Sequence, residues 1–67
     1  MKNRIRELRK SSKLSQEELA KLCNVTRQTI NAIENDKYDP TLHLAFSIAS
    51  ALDTKVDELF LYDPVRN

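Results

Sequence analysis

The chain contains no glycine and no tryptophan, and only one cysteine and one histidine among its 67 residues. Without glycine it cannot form a glycine-rich loop of the kind that binds nucleotide phosphates. Cys23 alone can form neither an intrachain disulfide nor a cysteine-based metal cluster, and His43 has no cysteine or carboxylate at the spacing of a metal site. The sequence therefore predicts that the protein is not an enzyme and binds neither a metal nor a cofactor. No small-molecule ligand is evident.

Long apolar segments are absent as well. The longest apolar-rich stretch, LHLAFSIASAL, is interrupted by His43, Ser47 and Ser50, and it is shorter than the roughly 20 apolar residues that span a bilayer. The N-terminal MKNRIRELRK is charged and lacks the apolar core of a signal peptide. These features predict a soluble, cytoplasmic protein without membrane contact. The length suits one domain over residues 1–67, which is small enough to gain stability from a partner.

The net charge is only +1, but it is unevenly distributed. Residues 1–13 contain six basic side chains and one carboxylate, a net charge of +5, so residues 14–67 carry −4. A basic end opposite an acidic remainder can orient a protein toward a polyanion such as DNA, and Lys10 and Lys13 would then contact phosphates. The alternative is that these charges only solvate a helix face.

Apolar residues recur at helical spacing along nearly the whole chain, which predicts five short helices and an all-α fold. The first helix is expected over about 3–11, and the second begins after Ser15. The third begins after Thr26 and ends near residues 35 and 36. The fourth follows Thr41 over 42–52 and, being the most apolar, is expected at the centre of the domain. The fifth covers about 55–60.

Single residues mark the start and the turn of the predicted helix-turn-helix. In LSQEEL, Ser15 is the expected N-cap and Glu18 completes a capping box. Asn24 in the following CNV is expected to adopt a positive φ, because asparagine does so more readily than most residues other than glycine. Asn35 is expected to replace glycine in the same way after the third helix. Two capped helices joined by so short a turn predict a helix-turn-helix core over about 16–35.

The C-terminal VDELFLY carries more apolar surface than one short helix can bury against its own domain. We expect Leu59 in the core, and Phe60, Leu61 and Tyr62 at a homodimer interface within a segment of about 54–65. The tail is also rich in β-forming residues, which favours a short strand paired with the N-terminal residues.

The exposed face of the third helix carries amides and hydroxyls and little charge. With Ile30 and Ile33 directed inward, the other side chains point outward or lie at the flanks. These are Thr26, Arg27, Gln28, Thr29, Asn31, Ala32 and Asn35. Gln and Asn can bind adenine through two hydrogen bonds, Arg can bind guanine, and Ala or a Thr methyl can contact the thymine methyl. The pattern favours reading of DNA bases, with a solvated or protein-binding face as the alternative.

QEELAKLCNVTRQTINAIEN resembles the helix-turn-helix core of Cro/cI-type (XRE family) repressors, and the likeness continues through DPTLHLAFSIASALDTKVDELF, over about residues 3–60. The resemblance implies a five-helix, lambda-repressor-like domain that regulates transcription as a homodimer on a palindromic DNA operator. It implies that base edges are read by Thr26, Arg27, Gln28, Thr29, Asn31 and Ala32. It implies phosphate contacts by Gln16, Asn35, Lys37 and Tyr38. It also implies that Arg9 and Glu34 form an ion pair between the first and third helices.

Two other functions remain open at this point. One is a DNA-binding antitoxin that also neutralises a toxin, and the other is a helical protein-interaction module. The chain also departs from the family pattern, since Asn24 and Asp53 stand where glycine is usual and Lys55 stands where a capping serine is common. These departures concern local stability.

Overall fold

The computed structural model describes residues 1–62 and 64. Five helices follow one another: α1 Ile5–Ser11, α2 Gln16–Leu22, α3 Arg27–Glu34, α4 Leu42–Ala51 and α5 Val56–Leu59. Two short strands, β1 Lys2–Asn3 and β2 Phe60–Leu61, pair antiparallel and bring the two ends of the domain together. Both the five-helix prediction and the terminal strand pairing are confirmed. None of the described helices is long and apolar enough to cross a membrane.

The helix starts are those that the capping residues predicted. The Ser15 hydroxyl accepts from the Glu18 amide at 3.0 Å, and Glu18 Oε1 accepts from the Ser15 amide at 2.8 Å, which completes the capping box. Thr26 and Thr41 accept from the amides three residues later in the same way, at 3.2 Å each. The start of α5 has no side-chain cap at Lys55.

Four helices end on a non-glycine residue with positive φ. These residues are Lys13 (φ 59°), Asn24 (φ 58°), Asp36 (φ 60°) and Asp53 (φ 55°). Each end has the two hydrogen bonds of a Schellman motif; after α1 they run from the Leu14 amide to Arg9 O at 2.9 Å and from the Lys13 amide to Lys10 O at 3.0 Å.

The prediction for Asn24 is confirmed, and the one for Asn35 is wrong. Asn35 has φ −91° and is the C-cap of α3, while Asp36 takes the left-handed conformation. The Schellman motif places that conformation one residue beyond the C-cap, so the residue after Asn35 must adopt it.

The core is formed by one apolar face from each helix. Its fully buried side chains are Ile5, Leu19, Ile30, Ile33, Ile48 and Leu59. Only one face of α4 is buried, however, with Leu44, Ala45, Ile48 and Ala49 inward. Leu42 and Phe46 on the other face are 71% and 59% exposed. The high apolar content of α4 therefore reflects one core face and one exposed apolar face, and not central burial alone.

The C-terminal apolar residues divide between core and surface. Leu59 is fully buried, as expected, and Phe60 is only 6% exposed, whereas Leu61 and Tyr62 are 49% and 75% exposed. The prediction that places Phe60 at a dimer surface is therefore corrected. Successive side chains of a strand point to opposite faces, so Phe60 in β2 closes the monomer core while Leu61 points outward. Residues 63 and 65, also in the predicted dimerisation segment, lie outside the described residues.

Candidate nucleic-acid interface

Two buried side chains pack α3 against the core. Ile30 and Ile33 are both fully buried, so the opposite side of the helix is presented to solvent. Of the predicted base-reading residues, Thr26, Arg27, Gln28 and Asn31 are exposed, and Thr29 and Ala32 are partly exposed. Within the part of the chain that the structure describes, the side chains of Arg27 and Gln28 form no hydrogen bond to the protein, so their donors and acceptors are available to a ligand.

Arg9 and Glu34 are in contact beneath this face. Arg9 Nε donates to Glu34 Oε2 at 2.7 Å and Arg9 Nη2 donates to Glu34 Oε1 at 3.3 Å. Arg9 Nη1 also donates to the Leu14 carbonyl at 2.8 Å. The Glu34 side chain has no exposed surface and that of Arg9 is 11% exposed. One guanidinium therefore joins α1, the loop before α2, and α3.

The surroundings of Glu34 keep its carboxylate ionised. Burial alone would raise the pKa of Glu34, but hydrogen bonds from Arg9 and Gln16, and the positive charge of Arg9, more than offset it, so the pKa lies below its ordinary value. A group with a lowered pKa stabilises the folded state above the ordinary carboxyl pKa. The carboxylate thus remains a strong acceptor at neutral pH.

Gln16, the first residue of α2, meets the exposed side of α3. Its Nε2 donates to Glu34 Oε1 at 3.1 Å, and its Oε1 accepts from Asn31 Nδ2 at 3.4 Å. The predicted phosphate-binding amide and a predicted base-reading amide are therefore neighbours. Each retains one N–H that these bonds do not use.

The other predicted phosphate contacts also lie at the surface of the protein. Lys10, Lys13, Lys37 and Tyr38 are exposed, Tyr38 to 49%. Asn35 is exposed too, but its side chain is engaged: Nδ2 donates to Asn31 O at 2.9 Å and to Asn31 Oδ1 at 3.3 Å. Asn35 therefore supports Asn31 in the free protein.

Two contacts were not expected from the sequence. Arg6 on α1 donates through Nη2 to Asn35 Oδ1 at 2.9 Å and through Nε to Glu34 Oε1 at 3.4 Å. Arg6 lies three residues before Arg9 and thus on the same side of α1, which is the only signal the sequence offered. Asn3 in β1 donates from Nδ2 to Ile33 O at 2.8 Å and covers the end of α3; no motif marks it.

Among residues 1–62 and 64, no group of three or more His, Cys, Asp or Glu side chains is placed to hold a metal ion. Cys23 is buried in the core, and this burial raises the pKa of its thiol. The exposed face of α3 offers hydrogen-bonding side chains and the positive charge of Arg27.

Comparison with known proteins agrees with this geometry. A helix-turn-helix family model matches residues 5–59. An HTH-type transcriptional regulator of Methanocaldococcus jannaschii is 49% identical over 63 residues, which cover 94% of this chain and 96% of that protein. The immunity repressor of Bacillus phage phi105 is 38% identical over 56 residues, which cover 84% of this chain and 39% of the repressor.

A solved structure gives the same assignment. The restriction-modification controller protein C.AhdI from Aeromonas hydrophila is 38% identical and superposes with a TM-score of 0.79 over 85% of this chain and 86% of that one. The family match, the relatives and the exposed face of α3 lead to one conclusion: the chain belongs to the DNA-binding helix-turn-helix transcriptional regulators of the Cro/cI type, the XRE family.

Proposed function

We propose that the protein is a transcriptional repressor that acts in the cytoplasm and binds a palindromic operator as a homodimer. The observation that carries this proposal is the exposed face of α3. Its Arg27 and Gln28 side chains are exposed, and the amides of Asn31 and Gln16 are held by hydrogen bonds to each other and to Glu34. Such a helix fits the major groove, where amide and guanidinium side chains distinguish base pairs. A helix face that only contacts water would need neither exposed amides nor the hydrogen bonds that hold Gln16 and Asn31 in place.

Each group of side chains has a separate role in this proposal. Arg27, Gln28 and Asn31 read base edges, with Thr26, Thr29 and Ala32 beside them to contact methyl groups and the adjoining backbone. The residues that bind phosphates are Gln16, Lys10, Lys13, Asn35, Lys37 and Tyr38. Phosphate contacts set the position of the protein on the duplex, and base contacts select the sequence.

A homodimer follows from the size of the site. One recognition helix reads only a few base pairs, and regulators of this architecture place two such helices about 34 Å apart on the duplex. The exposed apolar residues supply a surface for this. Leu42, Val56 and Phe60 line one shallow pocket, and Phe46 and Val56 line another. Val56 lines both pockets and so links the apolar residues of α4 with those of α5.

The proposed dimer surface is centred on this α4–α5 surface and extends to the exposed Leu61 and Tyr62. Because a twofold contact uses the same patch on both subunits, the apolar patch of one subunit can pack against the identical patch of the other. Phe60 is buried and lines the pocket beside this surface, so it supports the proposed interface without being an exposed contact.

Selection from random duplex DNA with the purified protein tests the proposal, together with analytical ultracentrifugation in the presence and absence of the selected duplex. We expect enrichment of a palindrome with half-sites about one helical turn apart, and two protein chains on each duplex. The variant Leu61→Glu should yield a folded monomer with strongly reduced operator binding. Enrichment of no sequence, or binding of one chain to an asymmetric site, would contradict the proposal.

A further inference from the structure

A chain of hydrogen bonds runs across the surface of the helix-turn-helix from a cation to an anion. It begins at Arg6, which donates to Asn35 Oδ1 at 2.9 Å, and Asn35 Nδ2 donates to Asn31 Oδ1 at 3.3 Å. Asn31 Nδ2 then donates to Gln16 Oε1 at 3.4 Å, and Gln16 Nε2 donates to Glu34 Oε1 at 3.1 Å. Arg6 Nε closes the ring by donating to the same Glu34 oxygen at 3.4 Å.

The two charged ends determine the direction of every bond between them. A guanidinium can only donate and an ionised carboxylate can only accept. Asn35 must therefore turn its oxygen to Arg6 and its NH₂ group to Asn31. The same constraint then places the oxygen of Asn31 toward Asn35 and its NH₂ group toward Gln16. Reversal of any single amide would set oxygen against oxygen on one side and NH₂ against NH₂ on the other.

This constraint acts on a side chain that faces the proposed groove. Asn31 keeps one N–H and one acceptor lone pair that the chain does not use, and adenine is bound by such a donor and acceptor in a fixed spatial order. A flip of the Asn31 amide would exchange the two and remove the fit to the preferred base. The orientation of the amide is therefore part of the specificity.

We propose that Arg6 is a positioning residue for base readout: from α1 it holds the Asn35 end of this chain, reinforces the amide orientation of Asn31 that Glu34 favours through Gln16, and so sharpens the base preference at the position that Asn31 reads. This inference rests on the proposed function. The Arg6 side chain is 53% exposed, so the competing role is a direct phosphate contact. Its Nη2 and Nε are already engaged by Asn35 and Glu34, which favours the positioning role.

The free protein gives the first test. In Arg6→Met the side-chain NH₂ signals of Asn31 and Gln16 in ¹H–¹⁵N NMR spectra should shift and exchange faster with water, while the backbone signals of α3 change little. Arg4→Met is the matched control, because it removes the same charge from the same basic segment but, among residues 1–62 and 64, breaks only the Arg4–Glu7 pair of 3.0 Å. Unaltered Asn31 and Gln16 signals in Arg6→Met would overturn the inference without touching the proposed function.

Binding to the selected operator gives the second test. In Arg6→Met, discrimination at one base-pair position should fall by at least about fivefold, the lower end of what one bidentate contact provides. Arg6→Lys, which keeps a donor for Asn35, should restore part of it. In an Asn31→Ala background, Arg6→Met should produce no further loss, since residues that act through one another are not additive.

A direct phosphate contact gives a different result. Arg6→Met would then weaken binding to all sequences alike, flatten the slope of log affinity against log salt by about 0.9 relative to Arg4→Met, and retain its effect in the Asn31→Ala background. That outcome, or unchanged discrimination, would overturn the positioning role while leaving operator binding intact. Failure of the wild-type protein to prefer any sequence would overturn the proposed function and the inference together.

Discussion

The chain ends four helices in the left-handed conformation without using glycine, and at Asp53 after α4 the cost of this conformation adds to that of an unfavourable charge. Its φ is 55°, and the conformation costs most L-residues about 1–2 kcal/mol, somewhat less for aspartate. Its carboxylate also lies at the negative end of α4, where a cation would be favoured. Asp53→Gly removes both effects.

The size of the gain follows from opposing contributions. Glycine avoids the steric cost but loses about 0.5–1 kcal/mol more backbone entropy than alanine on folding. Removal of the charge at the helix end adds about 0.3–1 kcal/mol. We expect Asp53→Gly to raise the free energy of unfolding by about 0.5–1 kcal/mol, and the melting temperature by about 2–8 °C for a domain of this size.

Asp53→Ala is the control, because it also removes the charge but keeps a Cβ atom at positive φ. It should be less stable than Asp53→Gly by about 0.5–1 kcal/mol. Urea unfolding followed by circular dichroism measures both, at one protein concentration so that dimerisation contributes equally. Equal stability of the two variants would refute the reasoning, since the steric cost of Cβ at this position would then be no larger than the backbone entropy that glycine loses on folding.

Three further predictions concern the interface. Gln28→Ala should cost about 1–3 kcal/mol at the operator and relax preference at one position, whereas Lys37→Ala, which removes only a proposed phosphate contact, should weaken all sequences alike; equal, uniform losses in competition assays would contradict the groove assignment. Replacing Lys10 and Lys13 by Gln should flatten the salt dependence of binding, and an unchanged slope would mean that these lysines only solvate the surface. Because the pKa of Glu34 is lowered in the folded state, its stabilisation should be lost as the pH falls below about 4.3. In Glu34→Gln the free energy of unfolding, measured with urea, should depend less on pH in the acid range. An unchanged dependence would show that Glu34 does not contribute to it.

The helix starts could be predicted from the sequence because each depends on a few neighbouring residues. Ser15 with Glu18 and Thr26 with the amide of Thr29 form their caps within one turn, so no tertiary contact is needed to identify them. The same holds for the inward direction of Ile30 and Ile33, which helical spacing alone determines. The resemblance to a known family added the Arg9–Glu34 pair, which joins residues far apart in the sequence.

The predictions were wrong where the sequence allowed a residue to be either buried or exposed. Phe60 and Leu61 are both apolar, and their sequence does not show which one β2 turns inward. The register with β1, Asn3 opposite Phe60 and Lys2 opposite Leu61, decides it. The fourth helix was expected at the centre of the domain because it is apolar on nearly every side, and only the packing shows that the face with Leu42 and Phe46 remains uncovered. Arg6 was missed because its partners lie on another helix.

The polar network beneath α3 is better explained by orientation than by stability. Glu34 accepts four hydrogen bonds, from Arg6, from Gln16 and two from Arg9, and its side chain has no exposed surface. Apolar residues of similar volume often stabilise a fold as well as a buried ion pair does, and Ile30 and Ile33 already anchor the helix. An apolar side chain at residue 34, however, would leave Gln16 without an acceptor and its amide free to turn. The buried carboxylate of Glu34 therefore holds the amide of Gln16, and through it that of Asn31, in one orientation. A fixed amide orientation is what a surface that reads bases requires.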